Sequence, residues 1–239
     1  MTRAAPSSPR RRVNTPCAAR PRSDGWPPER FMLGIVVTGI AGFGALAATI
    51  GSREVEAIDH VIAARLQAMR RPGVERAMGL VSWFGFPPQS RVLPPAYAAV
   101  LWILRYRLEA AFQLAAWGAA PLGSIIKSFV RRPRPRGGRD LRVTAAPLEG
   151  SSFPSGHVLT YVGVYGWMAL MAHRLVKPTC LRRVAVGALT GLVAAVGPSR
   201  IYLGHHRPSD VAASYLLGSS YLAALLVAYH RVRSRGAVR

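Results

Sequence analysis

"FMLGIVVTGIAGFGALAATI", residues 31–50, runs for its whole length without a charged residue. A helix needs roughly 20 apolar residues to cross the hydrocarbon of a bilayer, and this stretch has them. Basic residues lie upstream and "ALA" occupies 45–47, which invites comparison with a cleaved leader. The apolar core of such leaders is only about 7–15 residues and their preceding segment is short. We therefore expect an uncleaved membrane anchor.

Upstream, residues 1–30 are rich in Pro, Arg and Ser, the composition of a disordered basic cytoplasmic tail. Downstream comes "SREVEAIDHVIAARLQAMRRPG", 52–73, in which Val55, Ile58, Ile62, Leu66 and Met69 recur at steps of three and four. That periodicity predicts an amphipathic helix, lying at the interface or packing over the bundle. A second span falls within 77–106, interrupted by Pro87, Pro88, Pro94 and Pro95. Further spans are predicted at 109–126, 158–172, 184–198 and 211–229. The fifth reads "VAVGALTGLVAAVG" over 184–197, and such small residues suit close helix packing more than lipid exposure. The expected fold is all-α: a bundle of six transmembrane helices, with the amphipathic helix between the first two. One membrane domain covers 31–230, and 231–239 form a second basic tail.

The chain has 239 residues, is 50% hydrophobic and carries a net charge of +22. A soluble protein this basic points to nucleic acid. The apolar spans redirect the arginines to anionic headgroups and topology, so the expected partner is the bilayer and not nucleic acid. Six spans put both termini on one side, together with "HRLVKPTCLRR" at 173–183. A slight excess of basic residues makes that side cytoplasmic, in a plasma membrane. Cys17 and Cys180 match no metal spacing and read as free thiols.

On the opposite face, three polar clusters meet: "KSFVRRPRP" at 127–135, "SSFPSGH" at 151–157 and "SRIYLGHHRPSD" at 199–210. Lys127, Arg134 and Arg200 offer cationic donors, arginine as a fork for two phosphate oxygens. Ser155 and Gly156 precede an apolar helix whose first N–H groups and dipole favour an anion. Asp210 is the only acidic residue after Glu149. It can hold the tautomer of a nucleophilic histidine, either at i, i+4 from His206 or from a helix opening at Pro208, reaching back like a capping box. Both geometries favour His206 over His205 as nucleophile, with His157 as general acid. A zinc site of His157, His205, His206 and Asp210 is the metal alternative, and the surrounding cations oppose it. We expect no metal and no cofactor. For Arg131, Arg132, Arg136 and Arg139 two readings stand: a second phosphate, or contact with anionic lipid. Taken singly, Arg131, Arg132, Arg139 and Arg142 read as interfacial anchors.

These residues resemble the signature of the type 2 phosphatidic acid phosphatase (PAP2) superfamily. Its first part is a lysine, six residues, then Arg-Pro, matched by Lys127, Arg134 and Pro135. Its second is Pro-Ser-Gly-His, matched by Pro154, Ser155, Gly156 and His157. Its third is Ser-Arg, five residues, His, three residues, Asp, matched by Ser199, Arg200, His206 and Asp210. The resemblance implies a metal-independent membrane phosphatase acting on a lipid phosphate or diphosphate. It implies that His206 becomes phosphorylated, that Asp210 orients it, and that His157 protonates the leaving group. Lys127, Arg134, Ser155, Gly156 and Arg200 would hold the phosphoryl oxygens. Arg207 stands where an aromatic residue is common, which bears on headgroup preference. The leading expected substrate is an isoprenoid diphosphate such as undecaprenyl diphosphate, ahead of phosphatidate and phosphatidylglycerophosphate. Vanadium haloperoxidases share this anion pocket in the wider superfamily, but six spans argue against one. A lipid-binding or transport protein with a vestigial phosphate pocket is the non-enzymatic alternative.

Overall fold

The computed structural model describes residues 26–69, 71–135, 141–143 and 150–236. The tail up to residue 25, Arg136, Arg139 and residues 237–239 lie outside them. Ten α-helices follow in order: α1 (Glu29–Thr49), α2 (Arg53–Gln67), α3 (Pro72–Trp83), α4 (Gln89–Ile103), α5 (Arg107–Trp117), α6 (Ala119–Phe129), α7 (Gly156–Thr160), α8 (Gly166–Leu175), α9 (Thr179–Tyr202) and α10 (Pro208–Gly236). A π-helical turn, Tyr161–Tyr165, joins α7 to α8 without a break. No strand occurs among the described residues. Three of the helices, α1, α9 and α10, are each long and apolar enough to cross a membrane.

Helix α10 lies at the centre and packs against α1 along their length. That approach depends on Gly39, where a Cβ would collide with Ser220 Oγ; small residues let helix backbones meet closely inside a membrane. The core beside the site is built from Val158, Tyr161, Val162, Val196 and Val211. The π turn ties α7 to the end of α3. Tyr161 Oη donates to the Val81 carbonyl at 2.5 Å and Tyr165 Oη to that of Phe84 at 3.3 Å. The predicted span at 109–126 is two helices, interrupted at Gly118 and not at Pro121. Pro121 falls in the first turn of α6, where a missing N–H is harmless.

Helix α2 forms where the periodicity placed it, and most of its apolar stripe faces away from the bundle, as an interface-lying helix requires: Ile58 is 58% exposed and Met69 49%, while Leu66 packs against the core. The buried face is Asp59, Ala63 and Gln67. Hydrogen bonding explains the polar inner face. Gln67 Nε2 donates to the carbonyls of Arg142, Ile201 and Tyr202, and its Oε1 accepts from Arg142 N at 2.9 Å. The polar face closes over loop backbone that needs partners. Helix α9 is buried only toward its C-terminus, from Val196 to Tyr202. Gly187 and Gly191 face open space, because small residues permit close packing without supplying a partner.

Candidate active site

Three chain segments carry the predicted residues. Lys127 lies in the last turn of α6 with Arg132 and Arg134 following it, Ser155 caps α7, and the turn between α9 and α10 carries His205 and His206. The three predicted clusters converge. A Cβ placed on Gly156 would lie 3.9 Å from Lys127 Nζ. Arg134 Nη1 donates to the His205 carbonyl at 3.0 Å. Lys127, Arg134, Arg200 and Asp210 are close enough to feel one another's charges.

The turn holding the histidines is forced by Gly204, at φ 76, against which a Cβ would strike the Arg142 carbonyl. Only glycine takes that conformation without strain. Pro208 then opens α10, and Asp210 Oδ2 accepts from Arg207 N at 3.0 Å. Of the two geometries the sequence allowed, the capping-box one is present. His206 therefore precedes the helix.

His206 is buried, and its Nδ1 lies 2.7 Å from the Ser152 carbonyl oxygen. A carbonyl only accepts, so Nδ1 carries the proton and Nε2 keeps its lone pair. Asp210 Oδ2 is 3.8 Å from the same Nδ1, beyond hydrogen-bond reach. The tautomer expected from Asp210 is set by Ser152, while Asp210 acts at short range through its charge. Burial pushes His206 down to about 4, with Asp210 opposing and Arg200 adding to the fall. Burial and then Arg200 push His205 down to about 3. Burial also lowers Arg134. At neutral pH both histidine rings in this turn are uncharged.

Arg200 is fully buried, donates to Ser82 Oγ at 2.6 Å and lies over the Phe86 ring at 5.1 Å. Its Nε and Nη2 have no hydrogen-bond partner among the described residues. The same holds for Ser155 Oγ, His157 Nε2 and both ring nitrogens of His205. Buried polar groups left unpaired are costly, and the Arg200 guanidinium, the Ser155 hydroxyl and the one N–H of neutral His205 are donors that a tetrahedral anion satisfies. Ser155 differs from expectation in one respect: its backbone N–H is given to Ser214 Oγ at 2.7 Å. Its hydroxyl, not its amide, is free for a ligand. Phe86 packs edge-on against His157 at 4.5 Å and His205 at 6.2 Å. A Cβ on Gly85 would collide with the His157 ring.

Arg132 is neither an interfacial anchor nor a free phosphate donor. It is buried, with Nη1 2.5 Å from Asp210 Oδ1 and Nη2 3.0 Å from Asp59 Oδ2. Asp59 was hidden in the sequence by its place in a helix read as amphipathic. The signal was the spacing of Asp59, Ala63 and Gln67. Ser152 contributes a backbone carbonyl, which no side-chain pattern reveals. Among the described residues, no three His, Cys, Asp or Glu side chains gather so as to hold a metal ion.

Residues 97–234, more than half the chain, match the PAP2 superfamily. The chain belongs to the PAP2 superfamily. Among relatives, it is 28% identical over 181 residues to phosphatidylglycerophosphatase B of Bacillus subtilis (strain 168), covering 74% of this chain and 85% of that one. Its fold is similar to the crystal structure of a transmembrane PAP2-type phosphatidylglycerolphosphate phosphatase from Bacillus subtilis, with a TM-score of 0.73 at 23% identity, over 82% of this chain and 96% of that one. Aquifex aeolicus LpxE shares the fold at a TM-score of 0.53 and 23% identity, over 69% and 92%. This PAP2 chain is a membrane protein, and its signature residues are those that converge around His206.

Proposed function

We propose that this PAP2-type lipid phosphate phosphatase hydrolyses a phosphate monoester on a glycerolipid, with phosphatidylglycerophosphate the best candidate, through a phosphohistidine. One observation carries the reading: His206 presents a neutral Nε2 beside a cluster of buried, unpartnered donors. The Nε2 lone pair attacks phosphorus in line, and the bond to the leaving oxygen breaks. His157 gives that oxygen a proton. In the second half His157 takes a proton from water, the hydroxide attacks phosphorus, and the P–N bond breaks to release phosphate and His206. Phosphorylation makes the imidazole ring cationic. The Ser152 carbonyl and the Asp210 carboxylate stabilise that charge, while Lys127, Arg134, Arg200, Ser155 and the α7 amides at Gly156 steady the phosphoryl oxygens.

The apolar chain enters laterally. A cavity of about 600 Å³ between α4, α8 and α9 is lined by Tyr97, Val100, Tyr165, Met168 and Leu189. It reaches Phe84, whose neighbours Gly85 and Phe86 touch His157. We read the bundle as six spans within a single domain over 31–230, in the plasma membrane, with the site outside and both termini inside.

The capture of Arg132 by Asp59 and Asp210 supports one phosphoryl pocket over two, and so favours a monoester over a diphosphate. Isoprenoid diphosphate is the second reading, favoured by Arg207, whose Nη1 donates to the Pro133 carbonyl at 3.1 Å at an exposed position and offers a second phosphate a cation. Purified protein in detergent should be given phosphatidylglycerophosphate, phosphatidate and undecaprenyl diphosphate, with phosphate release measured. Phosphatidylglycerophosphate is expected to turn over fastest, leaving a base-stable, acid-labile phosphoryl label on His206. Preference for the diphosphate would replace the first reading with the second. Turnover of none of them would favour a binding or transport protein.

A further inference from the structure

The signature leaves Asp59 and Arg132 without a role, yet both are buried beside the catalytic turn, at 4% and 7% exposure. Arg132 sits between two carboxylates. Its Nη1 bonds Asp210 Oδ1 and, at 2.7 Å, Ser209 Oγ; its Nη2 bonds Asp59 Oδ2. Asp59 in turn accepts from Ser209 N at 2.7 Å and from Ser209 Oγ at 2.6 Å. Helix α2, the turn after α6 and the first turn of α10 are thus locked together by one charge-assisted network. One buried cation shared by two carboxylates is an expensive arrangement for stability alone, since apolar replacements often hold a fold as well. Its effect here is directional. With Oδ1 held by Arg132 and Oδ2 by Arg207 N, the Asp210 carboxylate has a fixed orientation, and Oδ2 faces His206 Nδ1.

We propose that Asp59 and Arg132 are positioning residues for His206, acting through Asp210: Arg132 aims and partly neutralises the Asp210 carboxylate, and Asp59 aims Arg132. This rests on His206 being the nucleophile. The balance of charge gives the pair a signature that packing alone lacks. Without Arg132 two uncompensated carboxylates remain, and both attract a proton onto His206. Without Asp59, all of the guanidinium charge falls on Asp210. The other groups facing His206 are Arg200, Arg134, His157 and His205, and none changes in these variants.

The test is the titration of His206 by nitrogen NMR in detergent, together with kinetics. Arg132→Gln should raise the His206 titration by about one pH unit, and Asp59→Asn added to it should bring the value back toward wild type. Misplacement should lower kcat roughly 10²-fold in Asp59→Asn and Arg132→Gln with KM nearly unchanged, and Arg132→Lys should recover part of it. If Asp59→Asn alone fails to fold, the double variant, which removes both charges, still reports. Wild-type kcat and an unmoved His206 titration in the variants would overturn the proposal while leaving the phosphatase reading intact. A wild-type protein that releases no phosphate would defeat the phosphatase reading, and the NMR arm would still decide whether these residues govern His206.

Discussion

At the scale of single residues, the decisive contact is His206 Nδ1 to the Ser152 carbonyl. It leaves Nε2 as the ring nitrogen with the free lone pair, the one that attacks in the proposed reaction, and it comes from a backbone atom. Nitrogen chemical shifts of His206 should show a neutral Nδ1–H tautomer from pH 7.5 down to 5, and imidazolium character at pH 6 would contradict the burial described. The linked pH effects have a definite sign. His206 is held at about 4 against an ordinary 6.5, so between those values the unfolded chain binds a proton that the folded one refuses. Stability from this group is complete above 6.5 and is lost as pH falls toward 4. Melting temperature should therefore decline on acidification through that window, while kcat/KM shows no acid limb from His206 until pH nears 4. Replacing His157 with Ala should cost roughly 10²–10⁴-fold in phosphate release if it is the general acid. His206→Ala should abolish the phosphoryl label.

At the scale of elements, α2 shows how a hydrophobic period can place a helix without naming the side chains on its inner face. The stripe through Ile58, Ile62 and Met69 is exposed, as suits an interface-lying helix, and the polar residues turn inward to serve loop backbone. Gln67 answers four backbone groups of the turns around the site. Gln67→Leu should destabilise the protein by about 1–3 kcal/mol, because those groups lose their partner in a buried place. Thermal melting in detergent measures it, and an unchanged midpoint would mean that water replaces the amide freely. The α1–α10 seam depends on Gly39 in the same direct way. Gly39→Leu should force the helices apart at a cost of about 1–3 kcal/mol, read by the same melting curve.

At the scale of the whole molecule, the chain carries a net charge of +22, and the fold brings three of its cations, Lys127, Arg134 and Arg200, within reach of one another's charges. A mechanism built from imidazoles and these cations predicts full activity after dialysis against EDTA; loss restored by a divalent ion would bring the metal alternative back. The proposed orientation makes a further prediction. The Cys180 thiol is exposed at the start of α9, on the side assigned to the cytoplasm. A membrane-impermeant maleimide should leave intact cells unlabelled and label the protein once the membrane is opened.

The sequence by itself determined the membrane class, the all-helical character and the three clusters that converge, because hydrophobic length and motif spacing are local quantities; it did not divide 77–106 and 109–126 into the two helices that each contains. "KSFVRRPRP", "SSFPSGH" and "SRIYLGHHRPSD" hold most of the side chains now found together, though not Asp59, Ser82 or Phe86, and a helix opening at Pro208 was one of two geometries they allowed. Tertiary structure alone decided what those side chains bond to. Arg132 read as one arginine among several until Asp59, far away in sequence, closed on it. Ser152 mattered through its carbonyl, and Gly187 and Gly191 stayed open because no helix came to meet them. Hydrogen bonds and ion pairs act over a few ångströms between segments remote along the chain, so their partners exist only once the chain has folded.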